Sequence, residues 1–274
     1  GTTLAEASSE QIAGSLSRLI QQVVPRYAEE VRLDSSKIER TIARGERELT
    51  VAKEGERFSL GGSKLKPIAT ERAFGMSGDD GLPALVLTTK DGETIELRGK
   101  MDRVDVLQVG DTNLAVVFDY KRSLGRSLQL DEAYHGLALQ LLSYLLVIRD
   151  HGDKLAGAQL VLGGAFYLPL LAGLRKVEHP SDVESGDALP LSAFRPRGVL
   201  DFDWINALDP SLETGWSDKF LAYRTTAGDL GHTESSDAMP SGKLPELLEH
   251  MRRRMSELAS RWIDGDISVT PAML

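Results

Sequence analysis

Gly99-Lys100-Met101-Asp102-Arg103-Val104-Asp105, followed after one turn by Val116-Val117-Phe118-Asp119-Tyr120-Lys121, is the stretch on which the fold turns. Gly110-Asp111 between them suits a two-residue hairpin. Val104, Val106, Leu107 and Val109 lead into it, and Leu114, Val116, Val117 and Phe118 lead out. With Gly110 and Asp111 as the loop, Val109 faces Thr112, and counting back sets Asp102 opposite Asp119. Directly opposed residues of antiparallel strands share a face, with Cβ atoms about 4.5–5.5 Å apart. Lys121 follows Asp119 by two residues and joins that face. A slip of one residue in register would scatter the three groups.

Two carboxylates so close stay ionised together only with a cation between them; otherwise one takes up a proton. Oxygen donors with open coordination suit Mg²⁺ or Mn²⁺. Such an ion polarises a phosphoryl oxygen and acidifies a bound water. Lys121 could then orient or help deprotonate that water, or neutralise charge growing on a phosphate. The chemistry these parts suit is metal-assisted phosphodiester hydrolysis. The plainer reading is a surface hairpin with cross-strand charges, since Asp-x-Lys is short enough to arise by chance. Against it stands the almost wholly apolar strand before Asp119. A charged pair ending a buried strand is costly unless it is paired or binds metal.

The chain has 274 residues, 41% hydrophobic and 27% charged, which suits one large globular domain with insertions or two small ones. It contains no cysteine, which excludes disulfides, thiolate zinc sites and cysteine nucleophiles. No apolar run approaches the roughly 20 residues of a membrane span and no signal peptide is visible, so no membrane partner and a cytoplasmic location are expected. The net charge of −9 counts against tight autonomous binding to DNA. It does not count against an enzyme whose DNA is delivered by a larger assembly.

Helical spacing predicts helices over residues 3–24, stopped at Pro25, and over 36–51. A strand over 66–74 follows. Glu71 is its one acidic residue and could either approach a metal from beside the hairpin or stay solvated. Residues 85–87 and 94–97 form a second hairpin about Asp91-Gly92. Arg122 and Arg126, after Lys121, are candidate phosphate contacts. A single helix over 131–149 is apolar nearly all round, as expected of a deeply packed element. Gln140 and Tyr144 lie four apart on one of its faces. Buried, they need partners, either at the site or within the core. His135 reads as a packing or capping residue rather than a ligand. An inner strand over 156–170 completes a hairpin, helix, strand order. That order predicts an α/β domain with a mixed central sheet flanked by helices. Residues 175–199 read as a surface excursion, 201–208 as a short helix and 217–226 as a short strand with turns. The last helix, 244–263, has Pro245 in its first turn and a core stripe of Leu244, Leu248, Met251, Met255, Leu258 and Trp262. Arg252-Arg253-Arg254 on it reads as a solvated face.

These residues resemble the RecB-like nucleases of the PD-(D/E)xK superfamily, a restriction-endonuclease-like fold. The motifs are Gly99-Lys100-Met101-Asp102-Arg103-Val104-Asp105, Asp119-Tyr120-Lys121-Arg122-Ser123 and Tyr134-His135-Gly136-Leu137-Ala138-Leu139-Gln140-Leu141-Leu142-Ser143-Tyr144-Leu145. The last is similar to the AddB (RexB) subunits of bacterial helicase–nucleases. So are Phe194-Arg195-Pro196-Arg197-Gly198-Val199-Leu200 and Gly265-Asp266-Ile267-Ser268-Val269-Thr270-Pro271. The resemblance implies one nuclease domain over 1–274: N-terminal helices over 1–60, a nuclease core over 67–170, and an extension with a C-terminal helix over 171–274. Beside that family the chain reads as a piece of a longer subunit, or else as a cluster-free relative. The implied activity is Mg²⁺-dependent DNA exonuclease cleavage in double-strand break repair, beside an AddA/RexA-like helicase–nuclease partner. Carried over by position, Asp102 and Asp119 are metal ligands, Lys121 is the catalytic lysine, and Gln140 and Tyr144 are the helix motif. Two features depart from the family. Its further ligand, often a His on an upstream helix, has no counterpart, since no His precedes His135; Glu71 is the candidate substitute. The family's iron–sulfur cluster has no Cys ligands in this chain. The alternatives are a catalytically inactive nuclease-fold scaffold for DNA guidance or subunit docking, and a resolvase or restriction enzyme of the same fold.

Overall fold

The computed structural model describes residues 6–28, 35–78, 81–123, 130–171, 191–266 and 268. Two helices come first, α1 (Ser9–Ala28) and α2 (Ser35–Leu60). Pro25 does not stop α1, which carries it in its final turn. There the missing N–H and the ring clash disturb little helix. α2 runs to Leu60 instead of ending at 51. Its added turns bury Ala52, Glu56, Ser59 and Leu60 on one side. Two of these four are polar, so the apolar pattern fades while the helix continues.

β1 (Lys66–Phe74) begins the sheet as expected, and β2 (Leu85–Thr88) and β3 (Thr94–Leu97) form the separate hairpin. β4 (Gly99–Val109) and β5 (Thr112–Ser123) are the decisive pair. Then come α3 (Leu130–Tyr134), α4 (Gln140–His151), α5 (Asp153–Ala156) and β6 (Leu160–Leu171). β7 (Arg197–Asp201), α6 (Ile205–Leu208), β8 (Gly215–Trp216), β9 (Tyr223–Arg224), β10 (Leu230–Gly231), β11 (Ala238–Met239) and α7 (Lys243–Ile263) follow.

The six-stranded sheet has the order β1-β4-β5-β6-β7-β11. β5 pairs parallel with β6, and β7 with β11; the other pairings are antiparallel. This is the expected mixed sheet. Its residues alternate between two cores, as strand pleating requires. Ala115, Val117, Ala165 and Val199 pack towards α4 and α7, while Leu114, Val116, Phe118 and Phe166 pack with Leu60 of α2 and Leu208 of α6. Within α4, Leu141, Leu142, Leu145 and Leu146 are fully buried. Truncating any one to Ala costs about 2–5 kcal/mol, so α4 is firmly fixed to the sheet.

The single helix expected over 131–149 is instead two. Gly136 takes φ +84°. Its N–H donates to the Ala133 carbonyl and that of Leu137 to the Glu132 carbonyl, a glycine-terminated helix end that breaks the chain between α3 and α4. The apolar run conceals this stop. The inner strand starts at Leu160, because α5 occupies the start of the stretch expected to form it. Of the surface excursion, residues 175–190 lie outside the described residues. Its end is a sheet strand, β7, with Val199 and Leu200 fully buried. Gly198 is required there, since a Cβ would stand 2.1 Å from the Ala165 carbonyl oxygen. The strand expected within 217–226 shrinks to β9, paired with β8 and β10. In α7 the core stripe stops short of Trp262, which is 76% exposed.

Candidate active site

The β4–β5 hairpin has the register read from the sequence, from Val109 opposite Thr112 to Arg103 opposite Phe118. Gly110 takes φ +58°, the left-handed value such a turn asks of its first residue. The next position outward sets Asp102 beside Asp119. The Tyr120 N–H donates to Asp102 Oδ2 at 2.8 Å, which bridges the strands there.

Asp119 is almost sealed, 3% exposed. Its Oδ1 accepts a hydrogen bond from Gln140 Nε2 at 3.0 Å. Its Oδ2 lies 2.7 Å from Lys121 Nζ as an ion pair, yet receives no well-directed hydrogen bond. Lys121 Nζ donates to Gln140 Oε1 at 2.8 Å. Gln140 Nε2 also donates to the Tyr144 hydroxyl at 2.9 Å, and that hydroxyl donates to the Lys100 carbonyl at 3.0 Å. Gln140 is the first residue of α4 and Tyr144 lies one turn on, so the break at Gly136 delivers the helix end to the carboxylates. Four of the six residues expected at the site, Asp119, Lys121, Gln140 and Tyr144, are thus linked by contacts; Asp102 lies beside them on β4, held by the Tyr120 N–H.

Burial pushes the Asp119 carboxyl above the ordinary range, and the Asp102 charge adds to this; Lys121 opposes both. Burial likewise raises the Tyr144 phenol. Tyr167 is a site neighbour that the sequence presents only as part of the inner strand. It lies opposite Asp119 on β6, and its ring holds Lys121 Nζ 5.0 Å from the centroid. Burial, with the Asp119 charge, pushes its phenol to about 12. Only the parallel β5–β6 register reveals it, and sequence does not give that register.

Glu71 does not join the pair. It holds φ +51° and its carboxylate binds the Lys100 ammonium, both largely exposed. Among the described residues no group of three or more His, Cys, Asp or Glu is placed to hold a metal. Among the described residues, the candidate donors for a divalent cation at this site are the two hairpin carboxylates, Asp102 and Asp119. The buried Asp119 Oδ2, lacking a directed donor, is the atom most suited to such an ion. The rest of the coordination would fall to water and substrate, as Mg²⁺ tolerates. Iron–sulfur ligation finds no support, since the chain has no cysteine.

Arg122 is exposed, and Arg126 lies outside the described residues. His135 is exposed against Tyr134, its carbonyl accepting from Arg254. Arg252 pairs with Asp150 and Arg254 with Glu257, which leaves Arg253 facing solvent.

The model of the PD-(D/E)XK nuclease superfamily matches residues 2–273. The chain belongs to the PD-(D/E)XK nuclease superfamily. The B subunit of an ATP-dependent helicase/deoxyribonuclease from Geobacillus kaustophilus is 32% identical to it, covering 98% of this chain and 22% of that protein. Proteins of the same name from Pediococcus pentosaceus (31% identical, 77% of this chain, 18% of that protein) and Geobacillus thermodenitrificans (30%, 98% and 22%) are similar too. This PD-(D/E)XK chain therefore spans about a fifth of the length of the curated relatives it matches. Its likeness to AddB-type subunits, read from the α4 motif, agrees with those names. No helix among the described residues is long and apolar enough to cross a membrane.

Proposed function

We propose that this chain is the nuclease domain of an AddB-type helicase–nuclease subunit, cleaving DNA phosphodiesters with a divalent cation in double-strand break repair. The observation that carries the reading is the closed set of contacts among Asp119, Lys121 and Gln140, with Asp102 beside them. A Mg²⁺ or Mn²⁺ ion held by Asp102 and Asp119 would supply a Lewis acid for a phosphoryl oxygen and an acidified water. Lys121 reaches into the same space from a half-exposed position, where its ammonium can orient a water or meet charge developing on the phosphate. Gln140 aims Lys121 and holds Asp119 Oδ1, and Tyr144 fixes Gln140 against the Lys100 carbonyl. Tyr167 walls the side towards β6.

A cationic partner surface, supplied by an AddA/RexA-like subunit or by the rest of the AddB-type subunit, would offset the −9 charge of this chain and deliver the strand. The intact Asp102, Asp119 and Lys121 favour catalysis over an inactive scaffold. The test is cleavage of end-labelled single-stranded and duplex DNA in Mg²⁺, wild type beside Asp119→Ala. Cleavage by wild type alone supports the proposal. Cleavage by neither supports the scaffold, and equal cleavage by both removes the site assignment.

A further inference from the structure

The β4–β5 ladder ends at Arg103 opposite Phe118, one pair short of the carboxylates. Beyond it, side chains hold the two strands together from both faces. On the site face, Asp102 takes the Tyr120 N–H. On the opposite face, Arg103 grips Asp105 through Nε at 2.6 Å and through Nη2 at 2.5 Å. Its Nη1 donates to Glu56 of α2 and, at 3.3 Å, to the Tyr120 hydroxyl. Lys53 of α2 donates to Glu56 at 2.6 Å and to the Tyr120 hydroxyl at 3.1 Å, and lies 4.7 Å from the centre of the Tyr120 ring.

Arg103, Asp105 and Glu56 are all buried. Two carboxylates face two cations, so the cluster is balanced in charge. A buried ion network is a weak source of net stability compared with apolar packing, because desolvation offsets most of the attraction. What it supplies is fixed geometry. Strand periodicity makes Arg103 the chain neighbour of Asp102, and Tyr120 the neighbour of both Asp119 and Lys121, each pointing away from the site. Tyr120 is gripped twice: its hydroxyl by the buried cluster and its amide by the Asp102 carboxylate. The peptide units on either side of it carry Asp119 and Lys121.

Building on the nuclease reading, we propose that Arg103 and Tyr120 are positioning residues, clamping the strand ends to α2 and so setting the spacing of Asp102, Asp119 and Lys121 from the far face of the sheet. Neither touches substrate. Their effect passes through the backbone of the two strands.

The test uses Tyr120→Phe, which keeps the ring and removes only the hydroxyl, with Glu56→Gln as a second cut in the same cluster. Mn²⁺ affinity is read from the spectrum of free Mn²⁺ by electron paramagnetic resonance, and kcat and KM from labelled single-stranded DNA. Loss of outer-shell support costs about 10- to 100-fold in metal affinity or activity, and either variant is expected to show a loss of that order in Mn²⁺ affinity and kcat. KM for DNA stays at the wild-type value, because the altered groups face away from the strand. Wild-type Mn²⁺ affinity and kcat in both variants, with a lowered thermal midpoint, would make the cluster purely structural and overturn the proposal. Wild type that binds Mn²⁺ through Asp119 but leaves DNA intact would remove the nuclease reading, and the affinity series alone would then decide the clamp. Wild type that binds no Mn²⁺ overturns both.

Discussion

Gln140→Met should separate the site from the fold. Gln140 makes three contacts: an acceptor for Lys121, a donor to Asp119 Oδ1 and a donor to Tyr144. Methionine keeps the length and removes all three. The residue is exposed and Lys121 is partly so, which lets water replace the Lys121 contact. Asp119 is the group that loses, since Gln140 is the donor to its Oδ1 and burial already disfavours its charge. An unsatisfied buried acceptor costs about 1–3 kcal/mol, and water entering from the open side recovers part of that. The net cost is then about 1 kcal/mol, a fall in thermal midpoint of roughly 3 °C for a domain of this size. Activity should fall much further. With Lys121 no longer aimed, a misplacement near 1 Å is worth about 100-fold in rate. The assay pairs single-turnover cleavage of labelled DNA with thermal unfolding. A rate near that of wild type would show that Gln140 is not part of the machinery. A collapse of the midpoint with a proportionate loss of rate would make its role structural.

Three further outcomes follow from the geometry. The Asp119 carboxyl is raised in the folded state, so it favours folding below its unfolded pKa near 3.8, and that contribution is lost as pH rises through the folded value. In metal-free buffer Asp119→Asn should therefore gain thermal stability relative to wild type as pH rises from about 4 to 7, a gap that stays flat if burial is not what raises the group. Saturating Mg²⁺ should reverse that order: at ten times its Kd a bound ion adds about 1.4 kcal/mol to wild type alone, and an equal shift in the variant would place the ion elsewhere. Gly198→Ala drives a Cβ to 2.1 Å from the Ala165 carbonyl oxygen in the sheet interior. It should cost about 3 kcal/mol or more in urea unfolding, and a change within error would contradict the close approach.

The hairpin is legible in sequence because three independent signals agree: the Gly110-Asp111 turn, apolar flanks on both sides, and period two carrying Asp102, Asp119 and Lys121 to one face. Gln140 and Tyr144 are legible as polar residues in an apolar helix. The break at Gly136 is not, because a glycine stop inside an apolar run resembles a tolerated glycine. β7 is hidden for a different reason: its glycine, proline and arginine neighbours read as loop, and only burial against β6 makes it a strand. Tyr167 and the Arg103 cluster depend on which elements pack side by side, which is tertiary information. Glu71 shows the converse. Its position on β1 suits a third ligand, but a left-handed backbone and the Lys100 ammonium take its carboxylate elsewhere.

A cation held by Asp102 and Asp119, as proposed, would act directly on the scissile phosphate. The measurement that tests it most directly is cleavage of DNA with sulfur replacing a non-bridging oxygen at that phosphate, in Mg²⁺ and in Mn²⁺. Mg²⁺ prefers oxygen strongly, whereas Mn²⁺ accepts softer donors. Sulfur is expected to slow cleavage severely in Mg²⁺, and Mn²⁺ to restore most of the rate for one of the two stereoisomers. Equal slowing in both metals, for both stereoisomers, would mean that the cation does not touch the phosphate and would contradict metal-assisted cleavage at Asp102 and Asp119.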